Sequence, residues 1–348
     1  METETQLVTT ENAPSMMSFV FESPQLITHA GDLLDCMECA NNGKWYETPI
    51  DFSGLARCFT SSAAYHQSPL VFKRNVIASC FEPTAYLSRS DFISFVQDFI
   101  VFGNGYLEKR QNRLGGLLTL KPILAKYARV GMKEGQYWQI NNYLDAYEFK
   151  KNSVVHLKNP CLHQEVYGTC DYLAGLISAN LNQSATLFRT RFYENGSHAG
   201  SIVYVSSTLA NPDEMDDLKK QLSDMRQGKA FKNLFVQTTK GEKDGIQILP
   251  FAQIGAKDEF IGIKNTTRDD LLAMHRIPPQ LMGIIPEGSG SLGDIEKAAL
   301  VFWFNELLPL MESIKAVNEM LGVEAIRFKD YALLDFVTQI KSKSPASK

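Results

Sequence analysis

Apolar residues recur at helical spacing over residues 171–194, at Leu173, Leu176, Ile177, Leu181, Ala185, Phe188 and Phe192. The pattern predicts a helix about 35 Å long at 1.5 Å per residue. Asn195 and Gly196 follow and tolerate the left-handed conformation of a helix stop. Residues 172–193 hold no Asp or Glu, yet they carry Arg189, Arg191 and a row of Asn, Gln, Ser and Thr. One side is apolar and the other is polar without negative charge. That suits a strut packed against neighbours and facing a polyanion. An ordinary surface helix that happens to lack acids fits the pattern as well.

Upstream, Phe92, Phe95, Val96 and Phe99 share one face of a predicted amphipathic helix over 91–102, with Ser90 as its cap and Gly103 as its stop. Residues 106–110 and 117–120 read as a hairpin around Gly115-Gly116, and 136–140 and 154–157 as further strands. Downstream of the acid-free helix, 201–205 is rich in β-formers. A helix is then signalled by Asn211 as cap, Pro212 at its first position, four acids in its first turns and Gly228 at its end. Residues 233–237 and 245–250 read as strands, so 201–256 forms a β-α-β-β insertion. Lys219, Lys220 and Arg226 fall toward the C-terminal end of its helix, where ordinary helix electrostatics accounts for them as well as a docking role.

A second helix flanks that insertion. Thr267 with Asp270 three residues on has the capping-box pattern and starts it, and Pro278-Pro279 stops it. The final long apolar helix covers 294–321, with Trp303 near its middle, a kink expected at Pro309 and a stop at Gly322; 324–328 is a short strand. The fold class is α+β. Two helices, 171–194 and 266–277, make a stalk with the insertion at its tip.

The chain has 348 residues, 44% hydrophobic and 21% charged, which is enough for about two domains with a sizeable core. A formal net charge of −4 argues against sequence-specific DNA binding, which works by neutralising phosphates. It is compatible with a mildly acidic channel past which DNA slides. Six cysteines in a chain this long make no disulfide framework. Cys36 and Cys39 form one C-x-x-C without the second pair that a zinc site needs, so reduced thiols are expected and no metal or cofactor. No apolar run of membrane-spanning length occurs, and residues 1–18 lack a signal-peptide pattern. Residues 1–18 and 338–348 read as a polar arm and tail.

Residues 288–293 read GSGSLG and match G-x-G-x-x-G. A dinucleotide site would need a repeated βαβ sheet, and the chain ends after one possible further strand. A nucleotide-binding enzyme is therefore the alternative reading, and a mobile glycine-serine loop the favoured one. The six histidines are scattered, and no H-E-x-x-H, G-x-S-x-G or phosphate-binding loop occurs. Asp269 and Asp270 are accounted for by the first turn of a helix. Trp45, Trp138 and Trp303 lack interleaved basic residues and read as core or subunit-contact residues rather than stacking platforms.

Five stretches, taken in order, carry a resemblance: NGKWYETP at 42–49, FGNGYLEKR at 102–110, LNQSATLFRTRFYENGSHAG at 181–200, KDEFIGIKNTTRDDLLAMHRIPPQLMGI at 257–284 and GSLGDIEKA at 290–298. Together they resemble the portal proteins of contractile-tailed temperate bacteriophages, the peduovirus-type branch, over about 19–331. Departures fall at Cys161-Leu162-His163 and Thr169-Cys170.

The resemblance implies a portal fold. Its parts are a disordered arm (1–18), a wing (19–170), a stem helix (171–200), a clip (201–256), a second stem helix (257–284), a tunnel loop (285–293), a long kinked helix with a terminal strand (294–331) and a tail (332–348). It implies no catalysis and a dodecameric ring at one capsid vertex. The partners implied are the terminase large subunit, capsid and scaffolding proteins, head-completion and tail proteins, and double-stranded DNA passing non-specifically, with no membrane. The implied location is the virion, and the host cytoplasm during assembly. Gly288, Ser289, Gly290, Ser291 and Gly293 would face DNA. Arg189 and Arg191 would line the stem or bridge subunits, and Lys219, Lys220 and Arg226 would dock the terminase or connector. A soluble adaptor without a channel is a further alternative.

Overall fold

The computed structural model describes residues 39–142, 145–194, 201–205, 246–250, 256–285 and 293–331. The arm at 1–18, most of the insertion, the loop at 286–292 and the tail from 332 lie outside the described residues, and so do the expectations placed on them.

Two helices open the body. In α1 (Phe52–Ser61) Asp51 caps by accepting from the Ser53 amide, and Phe52, Leu55 and Cys58 turn inward. In α2 (Ala64–Cys80) a proline, Pro69, sits inside the helix. Neither was expected. Strand β1 (Phe81–Glu82) leads to α3 (Arg89–Phe102), whose Phe92, Phe95, Val96 and Phe99 are buried as the spacing implied. Its cap is Ser88 rather than Ser90. The Ser88 hydroxyl accepts from the Asp91 amide, and Ser90 only shares a hydrogen bond with it. Gly103 then takes a left-handed conformation, φ 67°, beside the backbone of Thr169, where a Cβ would collide at 2.4 Å.

The expected hairpin is β2 (Asn104–Gln111) with β3 (Leu117–Ile123), and β7 (Val154–Lys158) pairs on the other edge of β2. A second antiparallel sheet orders β4 (Ala128–Val130), β5 (Tyr137–Asn142) and β6 (Asp145–Glu148) as β4-β5-β6. Trp45 and Trp138 meet at 5.5 Å between ring centroids, with Trp45 bridging to Gly131 beside this sheet. Trp45 is buried and Trp138 half-buried.

A 3₁₀ turn (Leu173–Gly175) opens into α4 (Leu176–Glu194). Strands β8 (Ser201–Val205) and β9 (Ile246–Pro250) pair antiparallel, with Ser201 opposite Pro250. Helix α5 (Ala256–Met274) then runs back. It starts eleven residues before Thr267, which corrects the expected start. Thr267 is in the helix interior, where its hydroxyl donates back to the Ile263 carbonyl at 2.7 Å. Asp269 and Asp270 therefore lie near the end of a helix, and the dipole of a first turn does not account for them.

The last segment is α6 (Ile295–Phe302), a π-helical turn (Trp303–Leu307) and α7 (Leu308–Leu321), closed by left-handed Gly322 and followed by β10 (Arg327–Phe328), which pairs with β1. A kink was expected at Pro309; what the structure shows there is a π turn ending just before it. Pro309 has no N–H for the carbonyl four residues back, and the Leu308 amide reaches five residues back to Trp303.

Two apolar clusters organise the body. One joins α3, the β3-β2-β7 sheet and the long helix through Phe92, Phe95, Phe99, Leu107, Leu157, Phe302, Trp303 and Ile314. The other gathers Phe52, Leu55, Leu70, Tyr106 and Tyr172 around Leu176, Ala179 and Leu271. The base of the α4–α5 pair is thus rooted in core, and its other end, with β8 and β9, lies away from it.

Candidate functional site

The seam between α4 and α5 is polar where a helix pair is usually apolar. Asn182 Nδ2 donates to Thr267 Oγ1 at 2.7 Å, with both side chains buried. Ser178 donates to Asp270 at 3.1 Å on the rim, and buried Gln183 reaches the Ser61 carbonyl in the body. A satisfied buried amide fixes register, because sliding the helices would leave it unpaired in low dielectric. The outward positions mix Thr186 and Thr190 with large apolar side chains. Ile177 is 58% exposed, Leu181 50% and Phe188 37%.

At the foot of the pair, four elements meet around charge. Arg276, just past α5, holds a left-handed backbone, φ 55°, unusual without glycine. Its guanidinium lies 3.2 Å from Glu306 of the π turn and 3.7 Å from Asp171, just before the 3₁₀ turn that leads into α4. The other Glu306 oxygen pairs with the Lys73 ammonium of α2, and both of those side chains are buried. Burial pulls the Lys73 pKa down, while the Glu306 carboxylate holds it up. The same carboxylate raises that of Arg276.

Beside this network His66 Nδ1 and His275 Nε2 share a hydrogen bond of 3.1 Å, with Tyr172 edge-on to His66. One ring nitrogen must donate and the other accept, so the pair holds together with at least one neutral ring. Burial lowers the His66 pKa to about 4. Burial and then the nearby His66 and Lys73 lower that of His275 to about 2. The cavity among Leu70, Lys73, Tyr172, His275 and Glu306 is about 40 Å³. That admits a few waters and no substrate of ordinary size. The arrangement ties α2, the end of α5 and the π turn together. Nothing in it positions a nucleophile.

Of the residues singled out from sequence, Arg189 is half-buried on α4 and lines a shallow recess with Ala185, Thr186 and Lys264. It makes no ion pair among the described residues. Arg191 is on the last turns of the same helix, and its side chain lies outside the described residues. Gly293, φ 71°, directly precedes Asp294, which caps α6 by accepting from the Lys297 amide. Gly288, Ser289, Gly290, Ser291, Lys219, Lys220 and Arg226 lie outside the described residues. The joint of Lys73, Glu306, Arg276, His66 and His275 was missed from sequence. Its only signals were charged and His residues in otherwise apolar stretches.

Every strand pairing among the described residues is antiparallel, so the parallel βαβ frame of a dinucleotide site is not found among them. Among the described residues, no three His, Cys, Asp or Glu side chains gather as metal ligands, and no helix is long and apolar enough to cross a membrane.

The family model described as "Phage portal protein" matches residues 72–335. This chain belongs to the phage portal protein family. It is 46% identical over 324 residues to the "Probable portal protein" of Escherichia phage P2, covering 93% of this chain and 94% of that one. That relative comes from a peduovirus, as the sequence resemblance implied. Among solved structures, an HK97 family phage portal protein from Corynebacterium diphtheriae superposes with a TM-score of 0.58 at 12% identity, over 80% of this chain and 96% of that one. A chain in the neck of a native gene transfer agent particle, computed with C12 symmetry, superposes with a TM-score of 0.57 at 16% identity, over 84% and 88%. The α+β portal fold is therefore the fold of this chain. The family to which it belongs is one of structural proteins.

Proposed function

We propose that copies of this chain close into a twelve-membered ring at one vertex of the capsid, and that DNA enters and leaves through its channel. The observation that carries this reading is the α4–α5 pair. It leaves a two-core body, holds register through a buried Asn182–Thr267 hydrogen bond and bears β8–β9 at its far end. In a ring such pairs stand side by side as the wall of a stem. The twelvefold symmetry of the gene transfer agent neck supports the count. A ring needs a heterologous contact repeated by rotation, and one chain supplies both halves of it.

Within this reading, residues 19–170 form the wing, 171–200 and 257–284 the stem, 201–256 the clip and 285–293 a loop facing the DNA. Gly288, Ser289, Gly290, Ser291 and Gly293 give that loop freedom to follow passing DNA. Lys219, Lys220 and Arg226 put positive charge on the clip, toward the terminase large subunit during packaging and toward head-completion and tail proteins afterwards. Capsid and scaffolding proteins surround the wing, and assembly takes place in the host cytoplasm. The chain itself hydrolyses nothing, and the packaging motor supplies the energy. Electron microscopy of the purified chain tests the reading. Rings with a central hole are expected, and isolated compact particles at all concentrations would remove it.

A further inference from the structure

Three of the five described cysteines, Cys58, Cys80 and Cys170, are buried. The two that are partly exposed, Cys39 and Cys161, meet on one side chain, that of Gln164. Cys39 Sγ donates to Gln164 Oε1 at 3.2 Å. That carboxamide is fixed from the other side. Its Oε1 accepts from the Tyr167 amide at 2.7 Å, and its Nε2 donates to the Tyr167 carbonyl at 2.6 Å. Both backbones are anchored too. The Ala40 carbonyl accepts from the Glu47 amide at 2.8 Å, and the amides of Asn159 and Gly168 bind Gly103 and Asn104 at the start of β2. The Tyr167 hydroxyl joins the two segments by donating to the Tyr46 carbonyl.

The surroundings of Cys161 favour a thiolate. Burial pushes its pKa up, but the Thr169 hydroxyl, the His163 and Gln164 amides and the Gln164 side chain together outweigh burial, and the net direction is down. The Thr169 hydroxyl is itself buried without a satisfied hydrogen bond. A thiolate beside it supplies the missing acceptor. A partly exposed, stabilised thiolate with a second thiol on the same carboxamide is the arrangement that thiol–disulfide chemistry uses.

We propose that Cys161 is a modification site for low-molecular-weight disulfides, with Cys39 as its resolving thiol. The Cys161 thiolate attacks one sulfur of a small disulfide R–S–S–R. A bond forms between Cys161 Sγ and that sulfur, and R–S⁻ leaves with the electron pair of the broken bond. Cys39 then gives its proton to the released R–S⁻, attacks Cys161 Sγ and expels the second R–S⁻, which takes a proton from water. Two protein thiols are oxidised and one small disulfide is reduced to two thiols, so no further oxidant is needed. The product ties Cys39, ahead of α1, to the segment between β7 and α4. The site does not depend on the ring reading.

The test treats the reduced full-length chain with glutathione disulfide and maps the linked cysteines by peptide mass spectrometry with fragmentation. A Cys39–Cys161 link is expected. The linked form should melt about 5 °C higher, because the tie closes a long loop of the unfolded chain. Cys36 lies outside the described residues, and Cys36→Ser should leave the link intact. Cys39→Ser should stop the reaction at a glutathione adduct on Cys161, and Cys161→Ser should leave Cys39 unmodified over the same time. Thr169→Val tests the thiolate itself. The rate of adduct formation on Cys161 should fall about threefold at pH 7, since a lost thiolate fraction is partly offset by higher nucleophilicity, and the gap should close toward pH 10. A dominant Cys36–Cys39 link, adducts on Cys39 and Cys161 without a link, or a linked form that melts below the reduced one overturns the proposal. So does a Thr169→Val rate equal to that of the parent at pH 7.

Discussion

Removing the Glu306 carboxylate should damage the joint more than any surface charge would. The Lys73 and Glu306 side chains are only 9% and 10% exposed. Glu306→Ala leaves an ammonium in low dielectric with a small cavity beside it. Breaking a buried pair from one side costs about 3–5 kcal/mol. A second route bounds the figure. Lys73 can escape by losing its proton, and from an ordinary pKa of 10.5 that costs about 5 kcal/mol at pH 7. The two routes agree. The exposed Arg276 offers no relief, since it carries the same sign. Lys73→Met combined with Glu306→Leu removes both charges and fills the space, and Arg276 can turn to water. That double variant should recover to within about 1 kcal/mol of the parent. Urea unfolding at pH 7 of the parent, Lys73→Met, Glu306→Leu and their double variant measures the cycle, with Glu306→Ala alongside. Because the single-variant penalty is that of a buried ammonium, it should also shrink as pH rises toward 10. A Glu306→Ala loss below about 1 kcal/mol, or a double variant as unstable as the single, would refute the assignment of this pair as the buried anchor of the joint.

Four further outcomes are expected. His66 is held neutral by burial, so its folded pKa of about 4 lies below the ordinary 6.5 and the unfolded chain binds the proton first. Stability is therefore full above pH 6.5 and falls as pH drops toward 4, by about 2–3 kcal/mol at pH 4.5; His66→Gln should remove that share of the pH dependence, measured by urea unfolding at pH 7 and pH 4.5. Buried Asp98 has the opposite sign, with its pKa raised to about 7 despite the Ala125 amide, so Asp98→Asn should stabilise more at pH 7 than at pH 4 in the same assay. Replacing 288–293 by a short rigid linker should leave rings intact and lower the DNA packaged per head, and unchanged DNA content would dismiss the loop. Isothermal titration should detect no saturable ATP or NAD binding, and stoichiometric binding would restore the enzyme alternative.

Local pattern carried much of the fold. The phenylalanine spacing of α3, the Gly115-Gly116 hairpin and the apolar repeat of α4 are short-range signals; the first two formed where their period placed them, while α4 starts at Leu176 rather than 171, behind a 3₁₀ turn. Helix α2 was missed because its buried positions include His66, Lys73 and Pro69, so its face does not read as an apolar stripe. The start of α5 was misplaced because Thr267 and Asp270 imitate a cap. What Thr267 satisfies instead is Asn182, 85 residues earlier. The joint was illegible for the same reason on a larger scale, since His66 and His275 are 209 residues apart and Lys73 and Glu306 are 233 apart. No window of sequence contains both partners, and each alone reads as a solvated charge. The family resemblance, by contrast, rests on long words in one order and needs no tertiary contact.

The central claim is closure into a ring, and native mass spectrometry of the assembled chain tests it most directly. Closure by rotation predicts one dominant species, close to twelve times the 39.0 kDa chain, that does not grow with concentration. A persistent monomer, or an open-ended series of masses that lengthens with concentration, would contradict it.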